Sequence, residues 1–157
     1  MENIIEENKL KTGSVILDLA SEVPLDLGSA KDLPKEKIDE YYNGTGPDRW
    51  PQEVRDKIDE LTSFYAPAVV IHDCDFAKSD GSIKGLIVAT ERFRYNTKMI
   101  LKHYYPLWCI QWLKDGKYRK TRSKLAALKV AMDIGVSEKF CEQAWKEAHD
   151  KYGKEEN

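Results

Sequence analysis

Cysteine is scarce in this chain of 157 residues, and its few cysteines are far apart. They are Cys74, Cys109 and Cys141, and none belongs to a C-x-x-C pair. An odd, sparse set argues against a disulfide framework and against structural zinc. Long apolar runs are also lacking, because no stretch approaches the ~18 consecutive apolar residues typical of a membrane-spanning helix.

The composition lacks a strong charge of either sign, since the formal net charge is −2. This excludes the strong overall attraction of a highly basic protein to nucleic acid or membranes. The N-terminal sequence MENIIEENKL has no basic region and no apolar core, so it does not resemble a signal peptide. We therefore expect a cytoplasmic protein. A virion-associated location would also suit the chain if a phage encodes it.

Length and hydrophobic pattern predict one mainly α domain over residues 1–157, with a short N-terminal β element. Residues 1–12 are polar and are expected to be loosely held. The short apolar pieces Ser14–Leu19 and Leu25–Leu27 are interpreted as strands of a small hairpin. Apolar residues then recur at helical spacing after Pro51, and a later proline, Pro67, is expected to restart or kink that helix.

Further helices are predicted in the second half of the chain. A stripe of apolar residues at spacings of three and four predicts a helix from about residue 85 to residue 104. Thr121 or Ser123 is a suitable N-cap for the C-terminal helices, which we place within residues 122–153. Ser137 is a suitable N-cap for the last of them.

The dipeptide His72-Asp73 in the run after Pro67 has two interpretations: a core histidine beside a solvated acid, or a chemical site. His72 shares an inward stripe with Phe76, whereas Asp73 lies about 100° round the helix. A neutral imidazole can take a proton from water, and a carboxylate beside it can hold a hard cation such as Ca²⁺.

A glycine-rich turn upstream supplies candidate oxygen ligands for such a cation. Two glycines allow positive φ angles, which let successive backbone carbonyls converge on one point. The sequence therefore predicts a calcium site built from Asp73 and the loop 43–47. The candidate loop ligands are Asn43, Gly44, Thr45 and Gly46.

The order of loop, His-Asp helix and second helix resembles the phospholipase A2 superfamily over about residues 41–101. That family has a glycine-rich loop, a helix with A-C-x-x-H-D-x-x-Y, and an antiparallel helix with a D-x-x-F pattern. Here Ala68 to Phe76 resembles the first helix, with Phe76 in place of tyrosine, and Ala89 to Phe93 resembles the second. The few cysteines make the chain more similar to the bacterial, fungal and viral branches. The region 41–104 is then the loop and the helix pair.

The resemblance implies calcium-dependent hydrolysis of a phospholipid acyl ester. His72 would be the general base for water, and Asp73 with the loop would hold Ca²⁺, which stabilises the oxyanion. The family's second-helix aspartate, which orients the histidine, is replaced by Thr90, and Glu91 points about 100° away. Loss of the analogous carboxylate in triad enzymes costs about 10⁴ in rate. A non-catalytic relative that serves as a binding or structural module is therefore the alternative hypothesis.

A basic cluster with aromatic neighbours follows the helix pair. The interpretation without a binding function is that the cluster is a solvated loop and first helical turn. Its functional interpretation is contact with anionic phosphate, on phospholipid head groups at a membrane surface or, less favoured, on nucleic acid. The candidate anion- or lipid-binding residues are Lys114, Lys117, Arg119, Lys120 and Arg122, beside Trp108, Trp112 and Tyr118.

Overall fold

The computed structural model describes residues 12–44 and 50–153, and every regular element within these ranges is helical. The α-helices are α1 (Gly13–Leu19), α2 (Lys35–Tyr41), α3 (Gln52–Thr62), α4 (Ala66–Ala77), α5 (Ile83–Tyr104), α6 (Ile110–Lys114), α7 (Gly116–Gly135) and α8 (Glu138–Tyr152). Short 3-10 turns occur at Gly28–Asp32 and Ser63–Tyr65. The mainly α prediction is confirmed.

The predicted N-terminal β element is wrong within the described residues, because Ser14–Leu19 lies in helix α1. The Asp39 carboxylate of α2 accepts a 2.7 Å hydrogen bond from the Ser14 N–H, one of the donors that a helix start leaves unpaired. The second predicted strand, Leu25–Leu27, forms no hairpin, since the Leu25 N–H bonds locally to the Val23 carbonyl. A short apolar run suits either a strand or a helix, and here a packed carboxylate favours the helix.

Helices α4 and α5 form an antiparallel pair. Asp75 near the end of α4 pairs with Arg92, whereas Phe64, just before α4, packs against Tyr104 at the far end of α5. Pro67 lies in the first turn of α4, where a missing N–H costs no hydrogen bond. The expected restart of the helix at this proline is therefore confirmed.

The C-terminal helices begin earlier than expected. Helix α7 starts at Gly116, because the Asp115 carboxylate accepts hydrogen bonds of 2.8 and 3.2 Å from two N–H groups of the first turn. The predicted caps Thr121 and Ser123 lie inside this helix, so the boundary at residue 122 is wrong. Helix α8 follows Ser137, as the sequence predicts.

Helices α7 and α8 pack on the central pair. The Tyr65 hydroxyl donates a 2.8 Å hydrogen bond to the Leu125 carbonyl of α7. Trp145 of α8 packs edge-on against Phe76 of α4, with ring centroids 5.0 Å apart. This packing places the inner face of α4 in the interior, whereas the short helix α6 lies at the edge with no buried residue.

Candidate functional site

His72 lies on α4 between two aromatic rings. Its ring centroid is 4.6 Å from that of Phe76 and 5.1 Å from that of Phe93 on α5. The Nε2 atom is buried and has no hydrogen-bond partner among the described residues. Burial lowers the pKa of His72 to about 4, and the nearby charge of Asp75 offsets this only in part. The imidazole is therefore neutral at pH 7 and a weak base for taking a proton from water.

The two residues predicted to orient His72 are engaged elsewhere. Thr90 does face inward and has no exposed surface, but its hydroxyl donates a 2.9 Å hydrogen bond to the Val136 carbonyl. Glu91 lies on the exposed side of α5, where its carboxylate pairs with Arg94 at 2.6 Å. Thr90 and Glu91 are thus both bonded to groups other than His72, and the nearby charge of Asp75 only partly offsets the burial of the imidazole.

The start of the glycine loop does contact Asp73. The loop presents an N–H group there, whereas a calcium site needs carbonyl oxygens directed at the ion. The Asn43 backbone N–H donates a 3.2 Å hydrogen bond to the Asp73 carboxylate. The Asn43 carbonyl accepts a hydrogen bond from the guanidinium of Arg55 on α3. A carbonyl held by a cationic side chain is not directed at a second cation.

The rest of the predicted calcium loop is described only in part. Gly44 has a φ of +83°, as a converging loop requires, and it faces the Asp59 carboxylate. Thr45 and Gly46 lie outside the described residues. Within residues 12–44 and 50–153, no three His, Cys, Asp or Glu side chains cluster closely enough to hold a metal ion. Calcium binding stays a prediction.

An ion-pair network on α4 and α5 was not predicted from the sequence. Asp75 is only 3% exposed and accepts hydrogen bonds from Arg92 at 2.6 Å and from the Ser29 N–H at 3.0 Å. Arg92 also pairs with Asp26 at 3.2 Å, and the Asn96 side chain exchanges two 2.8 Å hydrogen bonds with the Asp26 backbone. The network fastens the segment before α2 to the middle of α5.

The sequence carries one signal for this network. Asp75 stands near the end of a mostly apolar helical run, and a buried carboxylate requires a partner. The partner cannot be identified from the spacing, since Arg92 and Arg94 on the next helix are both available. Gly28 leaves room for Arg92 in this network. It has a φ of +49°, and a Cβ atom there would lie 2.5 Å from the Arg92 guanidinium.

The two arginines of the basic cluster stabilise helix ends. Arg119 donates to the carbonyls of Trp112 and Leu113 at 2.8 and 3.2 Å, which caps α6. Arg122 donates to the Tyr105 carbonyl at 2.9 Å and lies 5.7 Å from the Trp112 ring centroid. The predicted role of Arg119 and Arg122 as anion ligands therefore competes with their hydrogen bonds to backbone carbonyls.

The three lysines of the same cluster, Lys114, Lys117 and Lys120, are exposed, and we call them the lysine collar. Arg119, which lies between the last two, ties the first turn of α7 to α6. The collar therefore adjoins the end of α6, where apolar side chains are also exposed.

An apolar tip projects beside this collar. We give this name to four exposed side chains on α6 and the turn before it, with exposed fractions of 44%, 82%, 59% and 67%: Leu107, Trp108, Ile110 and Leu113. Four large apolar side chains exposed within seven residues form a patch of the kind that marks interaction sites. The sequence showed this run to be apolar but gave no sign of its exposure.

Trp108 has an uncommon backbone. Its φ is +63°, and it is the only non-glycine residue with positive φ in the described ranges. The left-handed conformation costs a non-glycine residue roughly 1–2 kcal/mol. Here that cost accompanies a ring projected into solvent, and such strain persists where the surrounding structure holds it.

None of the described helices combines the length and apolar character that crossing a bilayer requires. Comparisons with protein-family models, curated proteins and solved structures found no match to this chain. The resemblance to phospholipase A2 thus rests on the sequence motifs alone.

Proposed function

We propose that this protein is a non-catalytic helical module that binds the surface of anionic phospholipid membranes. The observation that carries the proposal is the apolar tip next to the lysine collar. Amphipathic protein surfaces of this composition lie in the headgroup region, with apolar side chains among the acyl chains and lysines near the phosphates. The proposal keeps the lipid target of the phospholipase A2 resemblance without its chemistry.

The two parts of the surface contribute differently. Full burial of a large apolar side chain is worth about 1.5–3 kcal/mol, and Trp108 is the most exposed of the four. Each lysine near an anionic leaflet adds about 1 kcal/mol and makes binding sensitive to salt. Apolar insertion therefore sets whether the protein binds, and the lysine collar sets its preference for anionic lipid.

Hydrolysis is not part of this proposal. His72 is held between aromatic rings, its pKa is about 4, and the Thr90 hydroxyl is bonded to Val136. Nucleic acid is the less favoured partner, since three of the four residues of the tip are aliphatic and offer a base or a phosphate neither stacking nor a hydrogen bond.

Vesicle co-sedimentation tests the proposal. The full chain is mixed with phosphatidylcholine vesicles that contain or lack phosphatidylserine, at low and at high salt. We expect retention on the phosphatidylserine vesicles, with affinity reduced about tenfold by Trp108→Ser because the ring no longer inserts. Trp50→Ser is the matched control, since Trp50 is 40% exposed but lies far along the chain from the tip.

The other outcomes separate the alternatives. Failure of the wild-type protein to bind either vesicle would overturn the proposal. Equal losses in Trp108→Ser and Trp50→Ser would remove the tip as its basis. Salt-sensitive retention on duplex DNA without vesicle binding would favour the nucleic-acid hypothesis. Release of fatty acid from the vesicles by the wild type, but not by His72→Gln, would support the hydrolase hypothesis instead.

A further inference from the structure

Helix α7 carries apolar side chains on two opposite faces. Its inner face holds Tyr118 and Leu125, which are the buried residues of the helix. At about 100° per residue, four exposed apolar side chains fall within an arc of about 100° on the side opposite Leu125. We call them the α7 stripe: Ala127, Val130, Ala131 and Ile134.

The α7 stripe is open to solvent in the part of the chain that the structure describes. Val130 and Ile134 are each 57% exposed, and both alanines are exposed as well. The outward face of a surface helix is ordinarily polar, so an apolar stripe there indicates a surface that another element covers. The stripe is separate from the apolar tip, which lies on α6 and the turn before it.

The stripe has a shape that suits packing against a second helix. Ala127 and Ala131 lie one turn apart, and their small side chains let another helix axis approach to about 8 Å, the short end of the usual range. Val130 and Ile134 lie beside the alanines and supply most of the apolar surface. Two copies of the stripe fit each other about a twofold axis, because Ala127 of each copy then faces the partner's Ala131.

The charges beyond the stripe favour an antiparallel pair. Lys120 and Lys124 are exposed and continue the line of the stripe toward the start of α7. A parallel pair would bring the lysines of the two copies together, and like charges at close range repel. An antiparallel pair instead places these lysines at the opposite end of the partner helix.

That opposite end is acidic. Glu138 lies in the first turn of α8, just beyond the end of α7. Lys120 precedes Ala127 by seven residues, and Glu138 follows Ala131 by seven. With Ala127 opposite the partner's Ala131, Lys120 therefore comes level with the partner's Glu138. The twofold symmetry makes this contact twice.

We propose that the α7 stripe is a self-association surface through which two copies of this chain form a symmetric dimer, with their α7 helices antiparallel. Burial of the stripe supplies the attraction, and Lys120 with the partner's Glu138 sets the orientation. Dimer formation does not require a membrane, because no stripe residue belongs to the apolar tip. Lys120 alone is shared with the lysine collar.

Sedimentation equilibrium of the full chain without lipid tests the proposal. Trp108→Ser serves as the background, so that contacts between apolar tips do not contribute. We expect a dimer whose fraction grows with concentration up to about 0.2 mM, and Ala131→Lys should weaken it by at least about tenfold because an ammonium group is buried at the interface. Ala144→Lys, at an exposed position of α8, is the matched control and should leave the dissociation constant unchanged.

A charge exchange tests the orientation. Lys120→Glu and Glu138→Lys should each weaken the dimer by about threefold, because like charges then face each other across the interface. The double variant should recover the affinity of the background, since opposite charges again face each other. Urea unfolding of each variant checks that it is folded.

The remaining outcomes would contradict the proposal. A background chain that stays monomeric at about 0.2 mM would overturn self-association and leave the stripe to a different partner. A dimer that Ala131→Lys leaves intact, or that Ala131→Lys and Ala144→Lys weaken equally, would show that the stripe is not the interface. A double charge variant no stronger than the single ones would overturn the antiparallel arrangement.

Discussion

The predicted site around His72 and the apolar tip differ in how their groups are partnered. At the predicted site, the hydroxyl of Thr90, the carboxylate of Glu91 and the carbonyl of Asn43 all bond to groups other than the expected ones. At the tip, Trp108 is 82% exposed and its backbone is strained. A His-Asp dipeptide can thus be part of the packing, whereas the most exposed large apolar side chain of the described residues lies in a run with no motif.

The largest expected effect is on stability and comes from the interior. Arg92→Ala would leave the Asp75 carboxylate buried without its cation, so the free energy of unfolding should fall by about 3 kcal/mol or more. Urea unfolding measures this loss. Arg94→Ala, which breaks the more exposed pair with Glu91, should cost less than about 1 kcal/mol. Equal losses of unfolding free energy in the two variants would show that the buried network stabilises the fold no more than the exposed pair does.

The second effect is a pH dependence that belongs to His72. Its pKa is lowered from 6.5 to about 4 in the folded protein, so the unfolded chain binds more protons between these values. The free energy of unfolding should therefore be highest above pH 6.5 and should fall, by on the order of 3 kcal/mol, as the pH drops to about 4.

His72→Leu isolates that dependence from the titration of carboxylates. The variant should show a smaller loss of stability between pH 6.5 and 4 than the wild type, whereas His103→Leu, at an exposed position, should not. If the two variants had the same pH profile as the wild type, His72 would not be buried in its neutral form.

The third effect lies at the tip and has opposite signs for stability and binding. Trp108→Gly relieves the left-handed backbone, so the free energy of unfolding should rise by about 1 kcal/mol. Vesicle affinity should fall about tenfold, since the ring is lost. Trp108→Ala should lose the same affinity without the gain in stability. A stability gain in both variants would mean that the indole ring, rather than the backbone, is unfavourable.

The smallest expected effect concerns calcium. The Asn43 carbonyl is bonded to Arg55, so added Ca²⁺ should leave the urea unfolding midpoint of the wild type unchanged, as in Asp73→Asn. A midpoint that rises with Ca²⁺ in the wild type and not in Asp73→Asn would support the predicted calcium site. It would also favour the hydrolase hypothesis over a non-catalytic module.

Much of the helical architecture could be predicted because its signals are local. Pro67 marks a helix start because its missing N–H costs no bond there, and Ser137 occupies the N-cap position of α8, although its side chain makes no cap hydrogen bond. The inward position of Thr90 follows from its spacing along α5. The run Ser14–Leu19 was misjudged because its length suits both helix and strand, and the carboxylate that favours the helix comes from Asp39, 25 residues away.

The candidate sites depend on contacts that local patterns do not encode. The choice of Arg92 over Arg94 as the partner of Asp75 depends on how two helices face each other. Exposure of Trp108 depends on which helices cover α6, and an apolar run alone predicts burial.

The two hydrogen bonds between Asn96 and the Asp26 backbone should affect the folding kinetics. The two residues are 70 positions apart, so their hydrogen bonds close a long loop, and such contacts are expected to form late. Asn96→Ala should then accelerate unfolding and leave the refolding rate nearly unchanged, as for a residue whose contacts are absent from the transition state. The segment before α2 would be the last to dock on refolding and the first to detach on unfolding.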